Sequence, residues 1–213
     1  MASVRTPSLD VEAAIIGAAK ELLATQGPEA LTIRRIASQA GVAPMSVYNR
    51  FGSKQGVVDA LFVEGFQRLN EAVRFEATED VEEDLVQCGR RYRRFALENP
   101  TLYSVMFLRA VPDYEPSPEA GVIATASFLT LMAGVTPHLD NGRIEQAEPV
   151  EIAQRLWSAM HGSIALEISG IGFVEDLDGA YDRMARTVAR GLMARAPQVS
   201  KKRPTSRPSR AAT

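Results

Sequence analysis

A single glycine, Gly41, stands between two short amphipathic patterns, and the stretch around it from Leu31 to Lys54 constrains the fold more than any other part of the chain. Thr32 suits a helix N-cap, because its hydroxyl can accept from an orphan N–H of the first turn. Ile33, Ile36, Ala37 and Ala40 then recur at spacings of 3, 1 and 3, the apolar stripe of a helix. Gly41 falls at the C′ position, where a residue without a Cβ enters the left-handed region cheaply. Val42 can plug the corner. Pro44 suits the first position of a second helix running through Ser46, Val47, Tyr48 and Asn49 to Arg50 and Phe51. Helix, glycine turn, helix is the helix-turn-helix arrangement, whose second helix enters the major groove of DNA.

Charge points the same way. From Thr32 to Lys54 the charged residues are Arg34, Arg35, Arg50 and Lys54, with no Asp or Glu. An acid-free surface facing phosphates is what counterion release requires. An ordinary surface hairpin that happens to lack acids remains the alternative on spacing alone. The net charge of −2 speaks against a nucleic-acid partner, but the way it is distributed speaks for one. Residues 1–54 carry +2, residues 55–199 carry −9, and the last residues from Ser200 carry +5. A basic head on an acidic body presents one end to DNA.

At 213 residues, 46% hydrophobic and 23% charged, the chain suits one globular domain or two small ones. No apolar run approaches the roughly 18 residues of a membrane helix, and the start lacks the apolar segment of a signal peptide. A cytoplasmic protein without a membrane partner is expected. Cys88 is alone, which rules out an intramolecular disulfide or a Cys-x-x-Cys site, and His138 and His161 are too few for a His-rich metal centre. No metal site and no cofactor is expected.

Helical periodicity runs the length of the chain. Ser8 can cap a helix from Leu9 to about Thr25, ended by Gly27-Pro28 and needed to cover the short hairpin. Ser53 caps a longer helix to about Phe75, long enough to bridge two domains, with Gly65 as an interior glycine where it can bend. A helix follows over 80–98, where Arg90, Arg91, Arg93 and Arg94 read as a solvated face paired with acids rather than a DNA contact. Thr101 to Leu108 is short and apolar, and 109–118 is a loop. The helix from Glu119 to about Val135 is nearly uncharged and predicted to be buried, with Pro137 to Gly142 ending it. Two long helices close the fold, 149–169 and 176–194. The first seven residues and the Lys/Arg/Pro/Ser tail have almost nothing to bury and are predicted to be disordered. No convincing strand is present in the pattern.

The positions Gly27, Leu31-Thr32, Ile36-Ala37, Ala40-Gly41-Val42, Val47-Tyr48, Phe51 and Ser53-Lys54 resemble, in register, the DNA-binding domain of the TetR family of bacterial transcriptional repressors. Ala43 departs from the family's usual Ser or Thr cap, a lost hydrogen bond costing about 1 kcal/mol. The resemblance implies that Thr32, Tyr48 and Lys54 hold the DNA backbone. It also implies that Arg34, Pro44, Met45, Ser46 and Asn49 face base edges, with Arg50 on base or phosphate. Downstream, Trp157…His161-Gly162, with Asn99-Pro100 through Tyr103 to Phe107, resembles the WHG-type C-terminal domain of some members. That implies a small-molecule effector and a homodimer through helices 149–169 and 176–194, with Gly162, Ala165 and Gly191 allowing close approach.

Tyr92, Tyr103, Phe107, Phe128, Met132, Trp157 and Met160 are candidates for an apolar cavity, with His161 as its polar handle. The alternative is that they are plain core residues. His161 lacks a readable nucleophile or carboxylate partner, so no catalytic residue is assigned and the chain is read as non-enzymatic. The expected fold is all-α. A three-helix helix-turn-helix domain occupies 1–54, a helical ligand-binding and dimerisation domain 55–197, and a basic tail 198–213. The expected function is a regulator, most simply a repressor, that leaves a pseudo-palindromic double-stranded operator when a small, largely apolar effector binds. A nucleoid-type protein without sequence preference, or a helical enzyme with a DNA-binding head, are the alternatives.

Overall fold

The computed structural model describes residues 8–193, and they are almost entirely helical. In chain order the helices are α1 (Ser8–Gln26), α2 (Ile33–Gln39), α3 (Pro44–Phe51), α4 (Lys54–Val73), α5 (Val81–Glu98), α6 (Pro100–Phe107), α7 (Pro118–Asp140), α8 (Pro149–Ile168) and α9 (Leu177–Leu192). A single 3-10 turn, Pro28–Ala30, links α1 to α2. Among the described residues the only β-type pairing is an isolated bridge between Ile144 and Met193. The expectations for residues 1–7 and for the basic tail fall outside the described residues.

Local chemistry sets the helix starts. Thr32 accepts from the Arg35 amide (3.3 Å), Ser53 from Gly56 (3.2 Å), Asp80 from Glu83 (3.0 Å) and Ser117 from Ala120 (3.1 Å). Each bond satisfies a donor that the helix itself leaves unpaired. Gly41 adopts φ +66°, and the Val42 amide reaches back to the Ala37 carbonyl at 3.0 Å, closing the turn. Ala43 provides no side-chain cap, so Pro44 at the first helical position starts α3 unaided.

The hairpin cannot bury a core by itself. Ile15, Ala19, Leu22 and Leu23 of α1 cover Ile36, Ala37 and Val47, and Val57, Val58 and Leu61 of α4 complete the cluster. Full burial of such side chains contributes roughly 1.5–3 kcal/mol each. Further along the same helix, Phe62, Phe66, Leu69 and Val73 join the core of the second half. One helix therefore belongs to both halves. Near its middle, α6 approaches so closely that a Cβ on Gly65 would lie 2.9 Å from Met106 Cγ and nearer still to its sulfur. The helix runs unbroken through Gly65, whose missing side chain makes room for Met106 rather than a bend.

Three expectations about α7 are corrected. α7 continues through Pro137 to Asp140, because His138 and Leu139 are buried and the Asn141, Gly142 and Arg143 amides cap the last carbonyls. Nor is α7 buried all round. One side carries Ala120, Ser127, Gly134, Val135 and His138 inward, while Val122 and Leu129 are 71% and 48% exposed. Its small residues let one face pack tightly and leave the other open. By length and composition α7 also meets the requirement for a membrane span, contrary to the expectation from the sequence, although here it packs along α4 and α8.

Arg90 and Arg93 of α5 do pair with acids and Arg94 is solvated, as expected, but the two paired arginines are half-buried. Arg93 is only 14% exposed and holds Glu167 of α8 at 2.6 Å and Asp178 of α9 at 2.5 Å. Arg90 pairs with Asp182 at 2.5 Å. These cations fasten α5 to the two final helices.

Candidate functional site

Two sites emerge, at opposite ends of α4. At the first, α2 and α3 present Thr32, Arg34, Pro44, Met45, Tyr48, Asn49 and Arg50 on the surface, with Ser46 and Lys54 half-buried. Met45 and Tyr48 are 63% and 48% exposed although both are large and apolar in part. Among the described residues, none of Arg34, Arg35, Arg50 or Lys54 forms an ion pair with an acid. Arg35 is engaged by Gln26, and Arg50 folds back onto the Ser46 carbonyl at 3.3 Å. The nine residues singled out in the sequence are thus all at least partly exposed, and the cations among them have no ion-pair partner among the described residues.

The second site is a cavity of about 410 Å³ between α4, α5, α7 and α8. Phe66, Leu69 and Val73 of α4 form one wall, Cys88 and Tyr92 of α5 another. Ala124, Thr125, Ser127, Phe128 and Leu131 come from α7, and Gln154, Trp157 and Met160 from α8, with Phe107 closing one end. Of the eight residues expected to line it, Tyr92, Phe107, Phe128, Trp157 and Met160 do so. Tyr103 and His161 stand behind the wall, and Met132 does not face the cavity. The missed residues of α4 and α7 sit at helical spacing within apolar stripes. In sequence, a core stripe and a cavity wall look the same.

Behind Tyr92 lies a polar cluster. Tyr92 Oη and Tyr103 Oη each lie 2.9 Å from His161 Nδ1, and Trp157 Nε1 donates to Tyr92 Oη over 3.4 Å. The Phe107 ring meets the imidazole edge-on at 4.9 Å. Burial lowers the His161 pKa and pushes Tyr92 up to about 12, so both are neutral at physiological pH. Burial likewise raises the Cys88 thiol to about 12, and its proton points to the Val73 carbonyl at 3.5 Å, so it is a packing residue rather than a nucleophile.

The α6–α7 loop ties the two sites together. Asp59, on the head-proximal part of α4, accepts from Tyr114 Oη (2.7 Å), the Ser117 amide (3.0 Å) and Ser117 Oγ (2.6 Å). Burial would raise this carboxyl, but the Ser117 and Tyr114 hydrogen bonds outweigh it and hold the pKa below the ordinary value. Ser117 is also the N-cap of α7, and Ser127 of α7 donates to the Phe66 carbonyl of α4 at 3.1 Å.

Both histidines carry a pH consequence. His138 is fully buried, with Nε2 3.3 Å from Asp84 Oδ2 but off the line of a hydrogen bond. Burial lowers its pKa more than Asp84 restores it. With folded pKa values below the ordinary 6.5, both imidazoles bind protons more readily in the unfolded chain. Their contribution is therefore complete above about pH 6.5 and is lost as pH falls towards the folded values. Urea midpoints should decline between pH 7 and 5, and flat midpoints across that range would contradict the burial of both rings.

A helix-turn-helix with unpaired cations on a helical body with an apolar cavity is the architecture of a DNA-binding transcriptional regulator. Residues 15–61 match the profile of bacterial regulatory proteins of the tetR family, and residues 85–188 match the Tetracyclin repressor-like C-terminal domain. The chain belongs to the TetR family. It is 26% identical over 194 residues to an HTH-type transcriptional regulator of Mycobacterium tuberculosis, covering 89% of this chain and 85% of that one. An HTH-type regulator of Bacillus subtilis is 23% identical over 181 residues, covering 84% and 91%. A TetR-family regulator from Marinobacter aquaeolei shares the fold with a TM-score of 0.68 at 18% identity, covering 87% of this chain and 97% of that one.

Proposed function

We propose that the protein is a cytoplasmic, homodimeric repressor that leaves a pseudo-palindromic operator when a small, largely apolar molecule fills the cavity between α4, α5, α7 and α8. The observation that carries this reading is that α4 forms a wall of the cavity with Phe66, Leu69 and Val73 and at its other end packs into the reading head through Val57, Val58 and Leu61. A molecule that binds better to one tilt of α4 shifts the dimer towards that state by its difference in affinity. Reading heads must sit about 34–36 Å apart to enter successive major grooves, so a few ångströms of spread release one of them. The division at residue 54, with the body over 55–197, places the boundary at the first turn of this shared helix.

The dimer face assigned to α8 and α9 has support from their outer surfaces. A Cβ added at Gly162 or Gly191 would meet nothing within 4 Å, and Leu166 is about half-exposed. A footprint over the whole genome tests the regulator reading: discrete protected palindromes are expected, whereas uniform coverage would favour a nucleoid-type protein.

On the DNA face, Thr32, Tyr48 and Lys54 are placed on phosphates, and Arg34, Pro44, Met45, Ser46 and Asn49 on base edges, with Arg50 at the helix end. Asn49 suits adenine, Arg34 guanine and Met45 a thymine methyl. Lys54→Ala should weaken binding to all sequences alike and reduce the magnitude of the salt slope by about 1. Asn49→Ala should instead relax discrimination at one base pair, at a cost of about 1–3 kcal/mol. An unchanged salt slope removes Lys54 from the interface, and unchanged site selection removes Asn49.

A further inference from the structure

The cavity wall has almost no hydrogen-bond donor to spare. Ser127 Oγ is taken by the Phe66 carbonyl, Thr125 Oγ1 by Gly121 and Cys88 Sγ by Val73. Gln154 stands at the exposed rim, its amide on Ser158. Among the described residues, no Lys, Arg, Asp or Glu lines the space.

The exception lies at Tyr92. Two phenols, Tyr92 and Tyr103, converge on one imidazole nitrogen, each at 2.9 Å. A neutral Nδ1 has either one lone pair or one proton, so it cannot fully satisfy both hydroxyls. Tyr103 is completely buried, and leaving its hydroxyl unpaired costs more than leaving one that faces a cavity. Giving the nitrogen to the completely buried Tyr103 leaves the Tyr92 proton, on the residue that lines the cavity, as the surplus. Beside Tyr92, the Trp157 indole N–H is held only by a long 3.4 Å bond to the Tyr92 oxygen, so it too can turn to a better acceptor.

We infer that this cavity selects an uncharged, largely aromatic or apolar molecule bearing one carbonyl-type acceptor, which receives a hydrogen bond from the surplus Tyr92 hydroxyl with the Trp157 N–H alongside. The inference rests on reading the cavity as the effector site and narrows the chemistry that site accepts. An ionised ligand is rejected, because a buried charge without a partner loses its hydration and gains nothing in return. A pure hydrocarbon is accepted but leaves the Tyr92 proton unpaired. His161 and Tyr103 act as positioning residues: they fix which hydroxyl faces the ligand without touching it.

A matched series tests this on the full-length protein: benzophenone, diphenylmethane and 4-benzoylbenzoate, titrated by calorimetry. Trp157 is the sole tryptophan, so a change in its emission reports that binding occurs in the cavity. Benzophenone should bind about tenfold more tightly than diphenylmethane, the fold-change of one net hydrogen bond, and 4-benzoylbenzoate more weakly than benzophenone by at least about tenfold. In Tyr92→Phe the preference for benzophenone over diphenylmethane should collapse. Infrared spectra of benzophenone bound to the unmodified protein provide a readout that needs no variant, a carbonyl stretch moved to lower wavenumber than in hydrocarbon solvent. Equal affinity for benzophenone and diphenylmethane, or an unshifted stretch, overturns the acceptor inference while leaving the cavity an effector site. Failure of all three compounds to bind overturns the cavity reading itself.

Discussion

The Arg93→Ala protein should be less stable than its parent by about 3 kcal/mol, while Arg94→Ala, one residue along, should be nearly neutral. Arg93 is 14% exposed and so is its partner Glu167, and the two meet in a paired geometry of 2.7 and 2.6 Å. Removing one member of such a pair strands the other charge where water reaches it poorly, which typically costs 3–5 kcal/mol when burial is complete. The lower end applies here because Asp178, the second partner, is exposed and rehydrates freely. The guanidinium also lies over the Tyr181 ring, 5.4 Å from its centre, so alanine loses packing as well as charge. Arg94 is exposed and forms no ion pair among the described residues. For a chain of this length, about 3 kcal/mol corresponds to a fall in Tm of roughly 6–12 °C. Thermal unfolding of both variants checks it. Equal loss in the two would mean that helix-surface charge, rather than the α5–α8–α9 fastening, is what matters. Because Glu167 and Asp178 belong to α8 and α9, the same variant should loosen the proposed dimer face.

Legibility in the sequence follows the range of the interaction. The helix-turn-helix is readable because its determinants are local: a Thr32 hydroxyl three residues from its amide, a glycine at positive φ, a proline at a first turn. Helix order and ends are mostly readable for the same reason. Pro137 misleads because the gain from burying His138 and Leu139 beyond it is a tertiary effect, absent from any local pattern. α7 looks buried in sequence because composition reports apolarity without saying how many faces have partners. The cavity is half legible. Trp157, Phe107 and Phe128 announce an aromatic cluster, but nothing in the spacing distinguishes Tyr92, which faces the space, from Tyr103, which backs it. The Arg93 pairs span 74 and 85 residues, and Asp59 reaches Ser117 across 58. No periodicity encodes contacts of that separation.

The last of these contacts leads to the largest functional effect expected. If effector entry moves α7 relative to α4, the movement must pass through the places where the two helices are joined. At and beside the cavity, Ser127 donates to the Phe66 carbonyl and Thr130 to Asn70, which make one join; Asp59 with Ser117 and Tyr114 is the other, next to the head. The second join combines a carboxylate, a helix cap and a phenol, and it fixes the start of α7 against the part of α4 that packs on α1 and α3. Asp59→Ala removes it and leaves both the cavity wall and the DNA face chemically intact. Operator affinity should therefore stay within a few-fold of the parent, and Trp157 emission should still report ligand entry. The loss of operator affinity that ligand causes should shrink. Allosteric couplings of 1–3 kcal/mol correspond to about 5–150-fold, and the variant should retain no more than about threefold. A purely structural role predicts something else: lower stability with undiminished induction. Ser117→Ala serves as the milder comparison, since it loses the hydroxyl bond and the cap while keeping the amide on Asp59. It should give an intermediate coupling. Operator binding measured with and without ligand, beside Trp157 titrations on the same samples, separates the two accounts. An Asp59→Ala protein that folds, fills its cavity and releases operator as fully as the parent would show that the signal travels along α4 itself and owes nothing to the loop.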